Sequence, residues 1–495
     1  MRNSLTRNAI ANVLQMLVGA LLVFVLYRYI STNLGVDKLG VWSVVLATAS
    51  ASRLADFGLS AGVTRFVAQA IALDQQKKAA QIVETGIVSL MVFVAVVLMG
   101  LYPFLSRLLA HLFDAIYLIH ALEVLPLALI SLWLTIAASV AQSGLDGCQR
   151  MVSRAVLAVM GQVLMVLLAY ALVPSLGLLG LAWAQIGQGV FLLAGGWLLL
   201  RHNLPRLRIV PWRWHRPVFR EMLSYGANVQ VANVLMLLFD PLTKLLMAKF
   251  GGPVSAGQFE IANQVALRVR SMIAAANQAI VPRIAHMAES APLHLQAIYR
   301  ENIRMLVLVA LPIHALLFAW ADLLSELLLA DHQAQFVFFL RLSVLAWFIN
   351  TFAGPAYFVN LGIGNVSLNT FSHAAMGVLN LLFGWILGEI FGASGVAWGY
   401  VLALAIGSSW LMIFFQSRHD IRWRDLMLVE HIPLIGASLF VALLGIASSD
   451  FPPRCNSNYA CSIAFIFLPV LLLSITLWLH PLRLVLWRRF FANLE

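Results

Sequence analysis

Residues 35–69 read GVDKLGVWSVVLATASASRLADFGLSAGVTRFVAQ. From Leu39 to Thr64 this stretch is apolar or small enough to cross a bilayer as one helix, yet it carries Arg53 and Asp56 well inside the span. A charged side chain at bilayer depth costs roughly 2.5–3.5 kcal/mol on insertion scales, so it faces water or a partner. At about 1.5 Å of rise per residue, Arg53 lies roughly 21 Å along from Leu39, nearer the middle than either end. Ser50, Arg53, Phe57 and Ser60 share one stripe of such a helix. The reading is a transmembrane helix with a single polar face.

The rest of the chain has the same character. It is 495 residues long, 61% hydrophobic and only 11% charged, against about 25% charged in a soluble domain. Apolar runs long enough to span fall near 9–30, 39–64, 80–104, 118–142, 152–173 and 178–200, then 222–248, 254–281, 303–321, 336–361, 366–390 and 395–416, and finally 430–448 and 462–480. The predicted fold class is an all-α polytopic membrane protein of about fourteen transmembrane helices. The first run, Ala9 to Ile30, has no small-x-small cleavage site after it, and we read it as an uncleaved span. Between the sixth and seventh runs lies RHNLPRLRIVPWRWHRPVFRE, Arg201 to Glu221, whose arginines and prolines make it a surface linker. The expected organisation is a six-helix lobe at 1–200, a basic linker at 201–221, a second six-helix lobe at 222–417, and two more helices with a tail at 418–495.

Basic residues set the orientation. With the N-terminus inside, 22 of the 32 Lys and Arg residues fall on inner turns or at the ends, while outer turns hold only Lys38, Arg107, Lys249 and Arg454. Both termini are therefore expected on the cytoplasmic side. This bias also accounts for most of the net charge of +11, which leaves little for a nucleic-acid partner.

The two halves repeat. Gly35–Gly40 (GVDKLG) aligns with Gly252–Gly257 (GPVSAG), Arg53 with Arg270, Arg65 with Arg283, and LSRLL from Leu105 with LSELL from Leu324. Gly177-x-x-Gly180-x-Ala182-Trp183 aligns with Gly392-x-x-Gly395-x-Ala397-Trp398. Five matches in order at nearly one offset indicate an internal duplication in parallel orientation. In such a protein the transport site is expected near the midplane, in a cavity between the two repeats.

ADFGLSAGVTRFVAQ, the Gly-x4-Gly-x-Trp before it, the Gly-x-x-Gly-x-Ala-Trp repeats and the layout of six, six and two spans together resemble the Wzx-type lipid-linked oligosaccharide flippases. These belong to the multidrug/oligosaccharidyl-lipid/polysaccharide exporter superfamily. The resemblance implies a flippase that moves an undecaprenyl-pyrophosphate-linked oligosaccharide from the inner to the outer leaflet for surface polysaccharide synthesis. It also implies membrane lipid and the polymerase and chain-length machinery as partners, and alternating access through a cationic cavity. Arg53 and Arg270 match the positions where arginines would bind the pyrophosphate.

Further polar residues inside spans extend the candidate site. Asn233, Asp240 and Lys244 share a face of the seventh span; Asp240 and Lys244, four apart, either pair with each other or line the cavity. Asn263, Arg270 and Asn277 share a face of the eighth, where Arg268 is expected to be neutralised by Glu260. Arg53 has Asp56 one turn away as a rival structural partner. Arg28, between Tyr27 and Tyr29, is a candidate by its match to Lys244, although snorkelling to the interface also explains it. The twelve histidines show no paired spacing, so neither metal nor other cofactor is expected. Cys148 is expected to be buried, whereas Cys455 and Cys461 flank an outer turn where a disulfide is open. Asp322, Glu326 and Asp331 read as a solvated turn, so no catalytic grouping stands out and the chain is not expected to be an enzyme. The alternative within the superfamily is a drug/cation antiporter, which favours carboxylates over arginines in its cavity.

The orientation is directly testable. Green fluorescent protein fused after Glu495 should fluoresce and alkaline phosphatase fused there should be inactive, with the opposite pair of outcomes for fusions after Arg454.

Overall fold

The computed structural model describes residues 2–50, 59–278, 292–363, 367–426, 428–449 and 459–483. Among these residues all the regular structure is helical, without strands, as a bilayer demands of any segment that must satisfy its own backbone polar groups. The helices are α1 (Arg2–Asn33), α2 (Val36–Ser50), α3 (Leu59–Ala72), α4 (Gln76–Leu112), α5 (Ala115–Gly147), α6 (Met151–Leu176), α7 (Leu178–Asn203), α8 (Arg216–Gln278), α9 (Pro292–Ala319), α10 (Ala321–Leu329), α11 (Ala334–Gly362), α12 (Ser367–Arg418), α13 (Ile432–Ser449) and α14 (Tyr459–Leu479). Nine of the described helices are long and apolar enough to cross a membrane. Both α8 and α12 contain a non-helical residue, Gly252 and Gly392, which divides each into two predicted spans. Residues 51–58, which separate α2 from α3 and include Arg53 and Asp56, lie outside the described residues.

Two compact units divide at Gly257. In the first, α5 is the central helix and packs against α2, α3, α4 and α7, while α6 packs between α1 and α7. Small residues permit this density: a methyl on Gly144 would meet Leu200, and one on Gly147 would meet Val67 and the Thr64 carbonyl. In the second unit, α11 packs against α9 and α12, and α9 also packs against α13. Large apolar side chains such as Val96, Met99 and Phe104 of α4 remain exposed, as they must where lipid is the solvent.

The positive-φ glycines fall at repeat-related positions. Among the described residues, the glycines with positive φ are Gly35, Gly177, Gly252 and Gly392, and the sequence alignment pairs Gly35 with Gly252 and Gly177 with Gly392. The second pair agrees in both torsions, with φ 59° and ψ −131° at Gly177 and φ 61° and ψ −141° at Gly392. This is backbone that an L side chain rarely adopts, and it lets one helix end and the next begin without a long loop. Gly40 and Gly257 are also matched positions, and they pack on each other. A Cβ on Gly40 would lie 2.9 Å from the Gly257 nitrogen and collide with the Pro253 carbonyl, while one on Gly257 would lie 2.9 Å from the Gly40 nitrogen and collide with the Val36 carbonyl. The contact is reciprocal between matched segments.

Three readings are corrected or sharpened. Asp322 does not sit in a solvated turn. Its Oδ2 pairs with an Arg341 guanidinium nitrogen at 2.7 Å, and that nitrogen also donates to the Gly445 carbonyl at 2.6 Å, tying α10 and α13 to α11. The arginine outbids solvent there because both partners are largely withdrawn from water. The basic stretch lies on the surface, and two buried residues, Leu204 and Leu207, anchor it to the first unit. Cys148, at the turn after α5, is half-buried rather than buried. Burial nevertheless pushes its thiol up to about 11, so it is protonated at neutral pH. Cys455 and the Cys461 side chain lie outside the described residues.

Gly40→Ala and Gly257→Ala each force backbone apart, and overpacking of this kind costs about 1–3 kcal/mol. Gly100 of α4, where an added methyl meets nothing within 4 Å, is the control. Apparent melting temperatures in detergent should fall for the first two variants and hold or rise for Gly100→Ala.

Candidate functional site

Three helices of the second unit bring polar side chains together inside an apolar bundle. The segment of α8 after Gly252 carries Asn263 and Arg270, α11 carries Trp347 and Asn350, and α12 carries Tyr400 and Ser408. At about 1.5 Å per residue, Arg270 lies roughly 26 Å along from Pro253. Its Nε donates to Asn350 Oδ1 at 3.1 Å, and Asn350 Nδ2 in turn donates to Ser408 Oγ at 2.9 Å. The guanidinium stands over the Trp347 ring, 5.5 Å from its centroid.

Trp347 is itself fixed. Its Nε1 donates to Asn263 Oδ1 at 2.8 Å, and the Tyr400 hydroxyl donates to the same oxygen at 3.0 Å. Both lone pairs of that carbonyl are thus engaged. Asn263, expected as a ligand group on the Arg270 face, is fully buried and orients the tryptophan instead. Tyr357, Tyr400 and His373 also lie within electrostatic reach of the guanidinium. His373 packs edge-on against Tyr357, and its buried Nε2 makes no hydrogen bond among the described residues.

Arg270 forms no ion pair with a carboxylate among the described residues, and its terminal fork donates to no side chain or carbonyl there. A guanidinium held by its Nε and one face, with the planar fork left over, is suited to two oxygens of an anionic group.

The other candidates are placed differently. Asp240 and Lys244 pair across one helical turn at 2.9 Å, which matches the structural alternative for them. Arg268 makes no ion pair with Glu260; eight residues apart, the two are separated by about 12 Å along the helix. Arg28 is exposed, and its neighbour Tyr29 stacks on Tyr170 at 3.8 Å, as an interfacial position would have it. Arg53, Asp56 and the Asn277 side chain lie outside the described residues. No group of three or more metal-ligating side chains occurs among the described residues.

Trp347, Asn350, Tyr400 and Ser408 were not among the sequence candidates. The available signal was weak: Asn350 and Ser408 are polar residues inside predicted spans, and nothing local ties them to Arg270. A second missed feature is a histidine pair. His480 Nε2 lies 3.0 Å from His431 Nδ1, with the two rings stacked. The Leu482 N–H donates to His480 Nδ1, so Nε2 of His480 carries the proton and donates to His431. The pair joins the start of α13 to the end of α14.

The sequence profile of the family described as "Polysaccharide biosynthesis protein" matches residues 34–337, more than half of the chain. The chain belongs to this family. No curated protein matches it significantly. Among solved structures, this polysaccharide biosynthesis protein resembles the lipid II flippase MurJ in an inward closed conformation, with 12% identity, a TM-score of 0.72, and 98% of this chain and 99% of that one covered. It also resembles an inward-facing multidrug resistance MATE family transporter of the MOP superfamily, at 15% identity and TM-score 0.71, covering 83% and 98%. A MOP superfamily transporter from Pyrococcus furiosus, whose report describes a binding pocket of reverse polarity, matches at 16% identity and TM-score 0.60, covering 85% and 96%. The fold is that of the MOP superfamily, in line with the sequence resemblance. At these identities the structural matches establish fold alone.

The Trp347 clamp predicts an order of stability. Trp347→Phe keeps a ring under Arg270 but removes one hydrogen bond to Asn263, a loss of about 1 kcal/mol. Trp347→Ala also opens a cavity and should cost about 3–5 kcal/mol. Apparent melting temperatures of the purified variants should fall in that order.

Proposed function

We propose that this polysaccharide biosynthesis protein is a flippase for an undecaprenyl-pyrophosphate-linked oligosaccharide in the bacterial inner membrane, working by alternating access with both termini cytoplasmic. The observation that carries the reading is Arg270, an intramembrane guanidinium with its fork unoccupied by any described carboxylate. A cationic drug would be repelled by this group, whereas a pyrophosphate offers several anionic oxygens at the right spacing for it. Arg53, its repeat-related match, is the second proposed phosphate ligand, with Asp56 as the group that orients it. Asn277, Lys244 with its partner Asp240, and Arg28 are lesser candidates along the same route. A cation antiporter is disfavoured by the engagement of Asp240 with Lys244. Membrane lipid holds the polyprenyl tail, and a polymerase with its chain-length machinery would consume the product.

The test is surface polysaccharide measured in cells that depend on this protein. Arg270→Ala should reduce polymer at least tenfold while leaving membrane abundance near wild type, and Arg270→Lys should retain partial activity because it keeps charge but loses the fork. Asn350→Asp should also inactivate, by giving Arg270 a permanent counter-ion. Normal polymer in an Arg53→Ala, Arg270→Ala double variant overturns the cationic-site reading.

A further inference from the structure

The segment between α7 and α8 is fastened from beneath and armed on its outer side. Along its inner side, the Arg208 N–H donates to Glu84 Oε1 at 3.1 Å, the His215 N–H to Thr85 Oγ1 at 3.2 Å, and Trp214 Nε1 to Ser89 Oγ at 2.9 Å. All three acceptors stand on one side of α4. From α7, Trp197 Nε1 donates to the Ile209 carbonyl at 2.9 Å. Leu204 and Leu207 are buried against the same unit. With these groups and two leucines held inward, most of the segment's other side chains stand exposed.

Those side chains are of two kinds. Ile209 is 71% exposed and Trp212 80%, with Val210 and Trp214 about half exposed. Interleaved with them, Arg206, Arg208 and Arg213 are exposed, and Arg216 and Arg220 follow at the start of α8. The carboxylate of Glu84 is buried and turned to the backbone, so it does not screen the outer surface. Large apolar groups left standing in water are unfavourable, and so is a run of like charges without counter-ions. One environment accommodates both: the headgroup layer of a bilayer, where indole rings sit at the interface and guanidinium groups meet phosphates. The segment directly follows α7, which is long and apolar enough to cross a membrane, so it lies at that level already.

We infer that residues 204–215 form an interfacial strap that binds the anionic phospholipid headgroups of the adjoining leaflet, with Ile209 and Trp212 inserted among the lipids and the arginines holding their phosphates. The inference does not depend on the transported substrate.

The test uses the full chain with Cys148, Cys455 and Cys461 replaced by serine, a single Val210→Cys or Trp212→Cys, and the environment-sensitive NBD label on that cysteine. The protein is reconstituted in vesicles of phosphatidylcholine alone or of phosphatidylcholine with an equal amount of phosphatidylglycerol. In the anionic vesicles NBD emission should shift to the blue and be quenched by lipid brominated near the headgroup. The shift should be largely lost in neutral vesicles and in an Arg206→Gln, Arg208→Gln, Arg213→Gln variant, whose elution on size-exclusion chromatography reports folding. Water-like, unquenched emission in the anionic vesicles overturns the strap. Equal quenching in all vesicles and in the triple variant overturns headgroup binding. Reversal of the shift by inorganic phosphate assigns the arginines to a soluble anion instead, and so does a shift seen only on adding a soluble acidic protein.

Discussion

Backbone that cannot reach water must be helical, and this constraint governs the structure wherever it lies at bilayer depth. Every departure from the helix then has to be compact. The four positive-φ glycines meet that need, because each lets a helix stop and another start within one or two residues. They fall in repeat-related pairs, so the same solution serves both halves of the chain. The long apolar stretches between them need no fine specification; the turns do.

The same absence of water decides what a charge can be. Placing an arginine at depth costs roughly 2.5–3.5 kcal/mol. A desolvated cation–π contact returns about 2 kcal/mol, and a hydrogen bond to a charged group about 1.5–3 kcal/mol. Trp347 and Asn350 therefore offset the cost of Arg270 without a carboxylate. Arg341 shows the other solution: Asp322 pairs with it directly, and the Gly445 carbonyl completes the shell. Of the two arginines, the second is consumed by the fold, while the first is stabilised with its fork still available.

Helix positions were legible because apolar runs of span length have few other readings, and the repeat was legible because glycine at matched offsets is hard to replace. The surroundings of Arg270 were not. Asn350 lies 80 residues away in sequence and acts from another helix, so no local pattern marks it. Asp322 was misread for a related reason, since its partner Arg341 belongs to the next long helix and a cluster of acids on a turn looks solvated. His431 and His480 stand 49 residues apart and meet only after α13 and α14 pack. In the basic segment, the arginines and prolines drew attention away from Leu204 and Leu207, the residues that fix it.

The reciprocal contact of Gly40 with Gly257 also bears on how such a chain is built. Each glycine faces the carbonyl that precedes its counterpart by four residues, Pro253 for one and Val36 for the other. Two copies of a half-length chain associating about a twofold axis would make this contact with one codon serving both sides, so that any change would be felt twice. In a single chain the sides are encoded separately. The glycines, where a methyl would strike backbone, are identical in the two halves, while the residues whose carbonyls they face are valine in one and proline in the other. A symmetric contact encoded in this way can become asymmetric one residue at a time.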